Sequence, residues 1–149
     1  MALFSLVKKY EYEMEEDREP LFPILSESFG ILGSLIDKLL SHQGDETALR
    51  ILYLICKVFY VGNQLVIAPF LTAEGALDPW LTFFKTLMDM PLSADLTSFI
   101  EDTDLIQARD KCIHWKIKGV AAKITYRLFS KYGNPVYAQD GHKKFSKHF

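Results

Sequence analysis

The stretch Asp110–Tyr132, DKCIHWKIKGVAAKITYRLFSKY, constrains the fold of this chain more than any other. Placed on a helix, Ile113, Ile117, Val120, Ala121, Ile124 and Leu128 recur at steps of three and four and make one apolar face. Trp115, Ala122, Tyr126 and Phe129 make a second, and Lys116, Lys123, Arg127 and Ser130 form a narrow polar stripe between the two. A surface helix of an ordinary bundle hides one stripe, whereas a helix with two apolar faces is expected to hide most of its circumference. Stacked helical repeats require that, because each helix is sandwiched between neighbours. Gly133-Asn134-Pro135 supplies the stop: glycine takes the left-handed conformation that ends a helix, and proline prevents resumption.

The rest of the chain follows the same logic. Ala2–Tyr10 reads as the last turns of a helix, with Leu3, Leu6, Val7 and Tyr10 on one face. Glu11-Tyr-Glu-Met-Glu-Glu-Asp17 is too charged for a core and reads as a loop. Pro20 and Pro23 fit the first turn of a helix reaching Leu40, with Leu25, Phe29, Leu32, Leu35, Ile36 and Leu39 inward. After a turn at Ser41–Asp45, Glu46–Val61 again carries two apolar faces. Leu49, Leu52, Tyr53, Cys56 and Tyr60 form one; Ile51, Leu54, Ile55 and Val58 form the other. It too ends in a Gly-Asn pair, Gly62-Asn63. Asp78-Pro79 gives an N-cap followed by proline, opening a helix over Trp80–Met88 that buries Trp80, Phe83, Phe84 and Leu87.

These elements predict one segment with the end of a helix at 1–10, a first helix pair at 18–61 and a second at 78–132. The second pair carries an acidic insertion at 89–109, with a short helix near Asp104–Arg109, and a further helix starts at 138–149. Helix pairs of about 40–47 residues are the signature of HEAT and armadillo repeats. No sustained period-two alternation signals a strand. The expected fold is an all-α, HEAT-repeat right-handed α-solenoid fragment built from antiparallel helix pairs. Repeat ends leave apolar faces that neighbours would cover, so the isolated chain is expected to self-associate or to be marginally stable.

Composition narrows the function. With 149 residues, 49% hydrophobic and 13% aromatic, the chain can build a core and is not disordered. A net charge of −2 provides no bulk positive field for direct nucleic-acid binding. The longest uncharged run, Val58–Ala73, is broken by Gly62, Asn63, Gln64 and Pro69, so no membrane insertion is expected. The first residues do not form a signal peptide, because apolar residues precede the lysines and no small-residue cleavage site follows. Cys56 and Cys112 lie among aliphatic residues and read as small buried hydrophobes in a reducing, intracellular compartment. His42, His114, His142 and His148 have no carboxylate or histidine at ligand spacing, and Gly30 and Gly33 lie within a helix rather than in a phosphate loop. No catalytic residue, metal or cofactor is implied, and a non-enzymatic protein is expected.

Asp45-Glu-Thr-Ala-Leu-Arg50 resembles the opening of the second helix of a HEAT repeat. Trp115-Lys-Ile-Lys118, Ala121, Ala122 and Tyr126-Arg-Leu-Phe129 with Tyr132-Gly-Asn-Pro135 resemble importin-β-type nuclear transport receptors, in the branch containing importins seven and eight and their fungal relatives. Leu3-Phe-Ser-Leu-Val-Lys-Lys-Tyr10, Asp17-Arg-Glu-Pro-Leu21, Asp78-Pro-Trp80 and Phe84-Lys-Thr86 are similar to the same branch.

The resemblance implies an interior segment of a much longer receptor that carries protein cargo through nuclear pores under control of the GTPase Ran, shuttling between cytoplasm and nucleus. It further implies basic protein cargo, such as ribosomal proteins or histones. Ran and Phe-Gly nucleoporins would be partners through the full-length receptor. A HEAT-repeat scaffold or regulatory protein unrelated to transport is the alternative.

Two surfaces are candidates for protein binding. Glu13, Glu15, Glu16 and Asp17, with acidic residues of the insertion, are either an electrostatic surface for basic cargo or solvated loops. Lys116, Lys123 and Arg127 are either a concave-side contact or an ordinary wet helix face. Phe22, Phe83 and Phe84 could meet Phe-Gly repeats, although their helical spacing points to the core.

Overall fold

Proline and capping chemistry mark where two of the helices begin. The computed structural model describes residues 2–14, 16–92 and 111–132, and among them every regular element is helical. The α-helices are α1 (Ala2–Lys9), α2 (Leu21–Leu40), α3 (Glu46–Gly62), α4 (Asp78–Asp89) and α5 (Ile113–Tyr132), with 3-10 turns at Glu16–Arg18 and Pro69–Thr72. The fold is all-α and HEAT-like, built on antiparallel helix packing. Most of the acidic insertion, the short helix expected near Asp104–Arg109, the Gly133-Asn134-Pro135 stop and the helix expected at 138–149 lie outside the described residues.

Pro20 occupies the cap of α2 with φ −65°, already helical, and makes no side-chain cap bond. Asp45 caps α3 from an extended backbone, its carboxylate accepting from Thr47 N at 2.8 Å. Glu46 and Arg50 then pair one turn apart. The far end of α3 departs from a glycine stop. No residue there has positive φ, and among the described residues the positive-φ glycine is Gly75, at 73°, in the connector. Gly62 serves close packing instead: a Cβ there would stand 3.3 Å from Leu25 Cδ1 and 3.6 Å from Val7 Cγ1. Buried Asn63 closes the helix, donating to Phe59 O at 2.9 Å and accepting from Ala68 N at 2.9 Å. Its one side chain thereby folds the connector back onto the end of α3.

The chain divides into two compact units, residues 1–80 and 81–149. In the first, α3 packs against both α1 and α2. Its core holds Val7, Leu21, Leu25, Phe29, Leu49, Leu52, Cys56 and Phe59. An aromatic cluster joins the elements: Phe29 stacks on Phe59 at 5.6 Å, meets Phe70 edge-on at 5.5 Å, and lies 4.7 Å from Trp80. Each such pair adds about 0.5–1.5 kcal/mol beyond its area burial. In the second unit Leu81, Phe83, Phe84 and Leu87 of α4 are buried, as are Ile117, Val120, Ala121, Ile124 and Leu128 of α5.

Three expectations about burial change. Leu35 is not inward: it lies with exposed Ile24 and Ile31 on a flank of α2, about a third of a turn from the arc of Leu25, Phe29 and Ile36. Ile51 of α3 is exposed as well. On α5, one face is core as expected, but Tyr126 is 76% exposed and Ala122 is exposed, with Trp115 and Phe129 half-buried. This second apolar face points away from the buried one, so among the described residues the fully buried positions of α5 lie on one side. Among the aromatics, Phe83 and Phe84 are fully core and Phe22 is half-buried, so the first two offer no surface to a Phe-Gly repeat.

Truncating Phe59, which is 1% exposed and stacks on Phe29 and Trp80, should cost about 3–5 kcal/mol by cavity formation. Tyr126→Ala should stay within roughly 0.5 kcal/mol. Urea unfolding of the two variants against the parent chain checks the contrast.

Candidate interaction surfaces

The acidic segment starts where α1 runs out of helix. Tyr10 N, Glu11 N and Glu13 N bond to carbonyls three residues back, winding the chain through tight turns. Glu11 does not behave as loop: it is 7% exposed, and Lys8 Nζ donates to its carboxylate at 2.7 Å. That bond, and then the charge of Glu11, hold the Lys8 ammonium above its usual pKa. Burial of Glu11 is tolerable because its charge is paired. Glu13, Glu16, Asp17 and Glu19 are exposed, and none forms an ion pair with a described residue. Glu15 lies outside the described residues. The structure therefore puts Glu13, Glu16 and Asp17 together on one open segment between α1 and α2.

Beneath that segment lies Arg18, with no solvent exposure at all. Its guanidinium donates to Tyr10 O at 3.0 Å, to Gly62 O at 2.6 Å and to Val61 O at 3.4 Å. These are carbonyls at the C-terminal ends of α1 and α3, where helices leave acceptors unsatisfied and carry partial negative charge. Burial lowers the Arg18 pKa, yet the carbonyl fork still suits a cation with planar donors. Sequence reasoning passed over Arg18 because a single arginine at the end of an acidic run reads as one more solvated charge.

On α5, Lys116 and Lys123 are exposed and Arg127 is half-buried, all on one stripe beside the core face. A different lysine does structural work there: Lys118 Nζ donates to Met88 O near the end of α4. Its pKa is lowered by burial, an effect that Asp89 partly offsets. Asp89 itself bonds Lys85. The remaining acidic residues of the insertion, Asp95 to Asp104, lie outside the described residues.

Cys56 is buried, and burial pushes its thiol pKa far up, which removes it as a nucleophile at ordinary pH. Cys112 is half-buried rather than core, with Sγ 4.0 Å from His114 Nδ1. His42 Nδ1 is within bonding distance of Lys38 O and Ser41 Oγ at the end of α2. Among the described residues no three His, Cys, Asp or Glu side chains group as a metal site, and no helix is long and apolar enough to cross a membrane.

The fold and these surfaces define a helical-repeat protein. Its sequence is 30% identical to importin-8 of Homo sapiens and 29% identical to that of Mus musculus, in each case over 149 residues and the whole of this chain. It is 27% identical over 150 residues, covering 99% of this chain, to an importin beta-like SAD2 homolog of Arabidopsis thaliana. The chain spans 14% of the length of each of these relatives. No family model matches the chain. No solved structure matches it either. The similarity to these importins runs along the whole of this chain.

Lys118 generates a pH prediction. Its folded pKa lies below the ordinary lysine value of 10.5, so between those two pH values the unfolded chain binds more protons. Stability contributed by this group therefore rises with pH across that window. Urea unfolding at a series of alkaline pH values should show the rise in the parent chain and its absence in Lys118→Met. Parallel curves for the two proteins would contradict the assignment.

Proposed function

We propose that the chain is a non-catalytic segment of a nuclear import receptor that carries protein cargo through nuclear pores under control of the GTPase Ran. The observation carrying this reading is the similarity to importin-8 along the whole chain. Ran and Phe-Gly nucleoporins are partners of the full-length receptor in this proposal, and the receptor shuttles between cytoplasm and nucleus.

Within the segment, Glu13, Glu16 and Asp17 form a steering surface for basic cargo such as ribosomal proteins or histones, with Glu15 contributing by sequence. Their solvent exposure and lack of described ion-pair partners support this role, since unneutralised acidic groups project a field that attracts cations. Lys116, Lys123 and Arg127 form a second contact stripe, suited to acidic groups on the cargo.

Binding of a purified histone to the chain should be strong in low salt and weaken as salt rises, because exposed charges are screened over about 8 Å at physiological ionic strength. Replacing Glu13, Glu16 and Asp17 with Ser should slow association more than it speeds dissociation, as peripheral charges steer encounter. Stopped-flow association at two salt concentrations reads both effects. Equal association rates at low salt would contradict the steering role and leave a solvated connector.

A further inference from the structure

The segment between α1 and the Glu16–Arg18 turn presents one group that cargo steering does not use. Tyr12 is 80% exposed, and Met14 beside it is 73% exposed. The ends of this segment are held: Tyr10 O accepts from Arg18, and Arg18 itself is buried against α3. Between those anchors the backbone is lightly tied. Among the described residues, the Glu13 N to Tyr10 O bond at 3.3 Å is the one backbone hydrogen bond that spans Tyr12. A partner can draw residues 12–14 into an extended form at the cost of few hydrogen bonds, as low-stability segments allow.

We infer that Tyr12 is a phosphoacceptor for a protein tyrosine kinase that reads acidic residues following its target. The sequence supplies Glu13, Glu15, Glu16 and Asp17 after it, whereas Glu11 before it is buried and paired with Lys8. Glu13, Glu16 and Asp17 are open to solvent, so a kinase groove lined with arginine or lysine meets complementary charge. A groove of acidic character is repelled by the same residues.

In the transfer, the phenol oxygen of Tyr12 bonds to the γ-phosphorus of a nucleoside triphosphate. The bond from that phosphorus to the β,γ-bridging oxygen breaks, the nucleoside diphosphate leaves, and the phenolic proton passes to the kinase's catalytic base. The product carries about −1.5 to −2 charge where the phenol was neutral.

Among the described residues, Tyr10, Tyr53, Tyr60 and Tyr126 do not combine these properties. Tyr10, Tyr53 and Tyr60 are half-buried. Tyr126 is 76% exposed, but it sits inside α5, where Ser130 Oγ donates to its carbonyl and the neighbouring charges, Lys123 and Arg127, are basic. Exposing an extended segment there requires breaking helix.

The test treats the folded chain with magnesium and adenosine triphosphate and a purified tyrosine kinase that prefers acidic peptides. A kinase preferring basic peptides runs in parallel, and peptide mass spectrometry locates the phosphate. The inference expects phosphate on Tyr12 with the first kinase and its loss in Tyr12→Phe. It also expects strongly reduced incorporation in Glu13→Lys/Asp17→Lys, with circular dichroism confirming unchanged helix content in both variants. Phosphate placed chiefly on Tyr126, an unmodified Tyr12 in the folded chain, or incorporation indifferent to the Glu13 and Asp17 replacements would overturn it.

Discussion

A single buried cation closes two helices at once. Arg18 has no exposure to solvent and no described carboxylate partner, so its charge is balanced by backbone carbonyls: Tyr10 O after α1, and Val61 O and Gly62 O at the end of α3. An unpaired buried charge would be prohibitive, and orphan carbonyls at a buried helix end would be costly as well. Each problem solves the other. The close approach this requires is visible at Gly62, where Leu25 and Val7 leave no comfortable room for a side chain. Arg18, Gly62, Val7 and Leu25 thus form one contact among α1, α2 and α3.

The consequence for the surface is direct. With Tyr10 and Arg18 held from beneath, Tyr12, Glu13, Met14, Glu16 and Asp17 face solvent, while Glu11 stays buried. A segment that is anchored at both ends yet lightly bonded in the middle can change shape without disturbing the core. The second unit uses the same chemistry in a smaller form, with Lys118 donating to Met88 O near the end of α4. In both places a basic side chain satisfies a helix C-terminus, the end where cations are favoured.

Much of the helical frame was legible from periodicity, because Leu49, Leu52 and Cys56, or Ile117, Val120, Ala121, Ile124 and Leu128, can be core only on a helix. The opening Asp45–Arg50 was readable only through its resemblance to a HEAT-repeat helix, and Asp45 caps α3. What periodicity could not give is how wide a buried arc is. Leu35, Ile51 and Tyr126 look as apolar as their buried neighbours, and their exposure depends on where the next element lies. The candidate surfaces were half legible: the exposed acids were visible as a charge run, while Glu11 and Arg18 within the same run are buried. Their fate was set by partners eight to forty-four residues apart for Arg18, which no local pattern encodes. Gly62 was legible as a helix terminus but not as a packing residue, since both roles select glycine.

The central claim is that Arg18 holds the ends of α1 and α3 together, and native-state hydrogen exchange on Arg18→Met tests it most directly. Methionine keeps an apolar stem in the same space but donates no hydrogen bond. The account predicts that amides of α1 and of the last turn of α3 lose protection, while those in the middle of α2 and α3 keep most of theirs. Unchanged protection in α1 and at the end of α3 would contradict it.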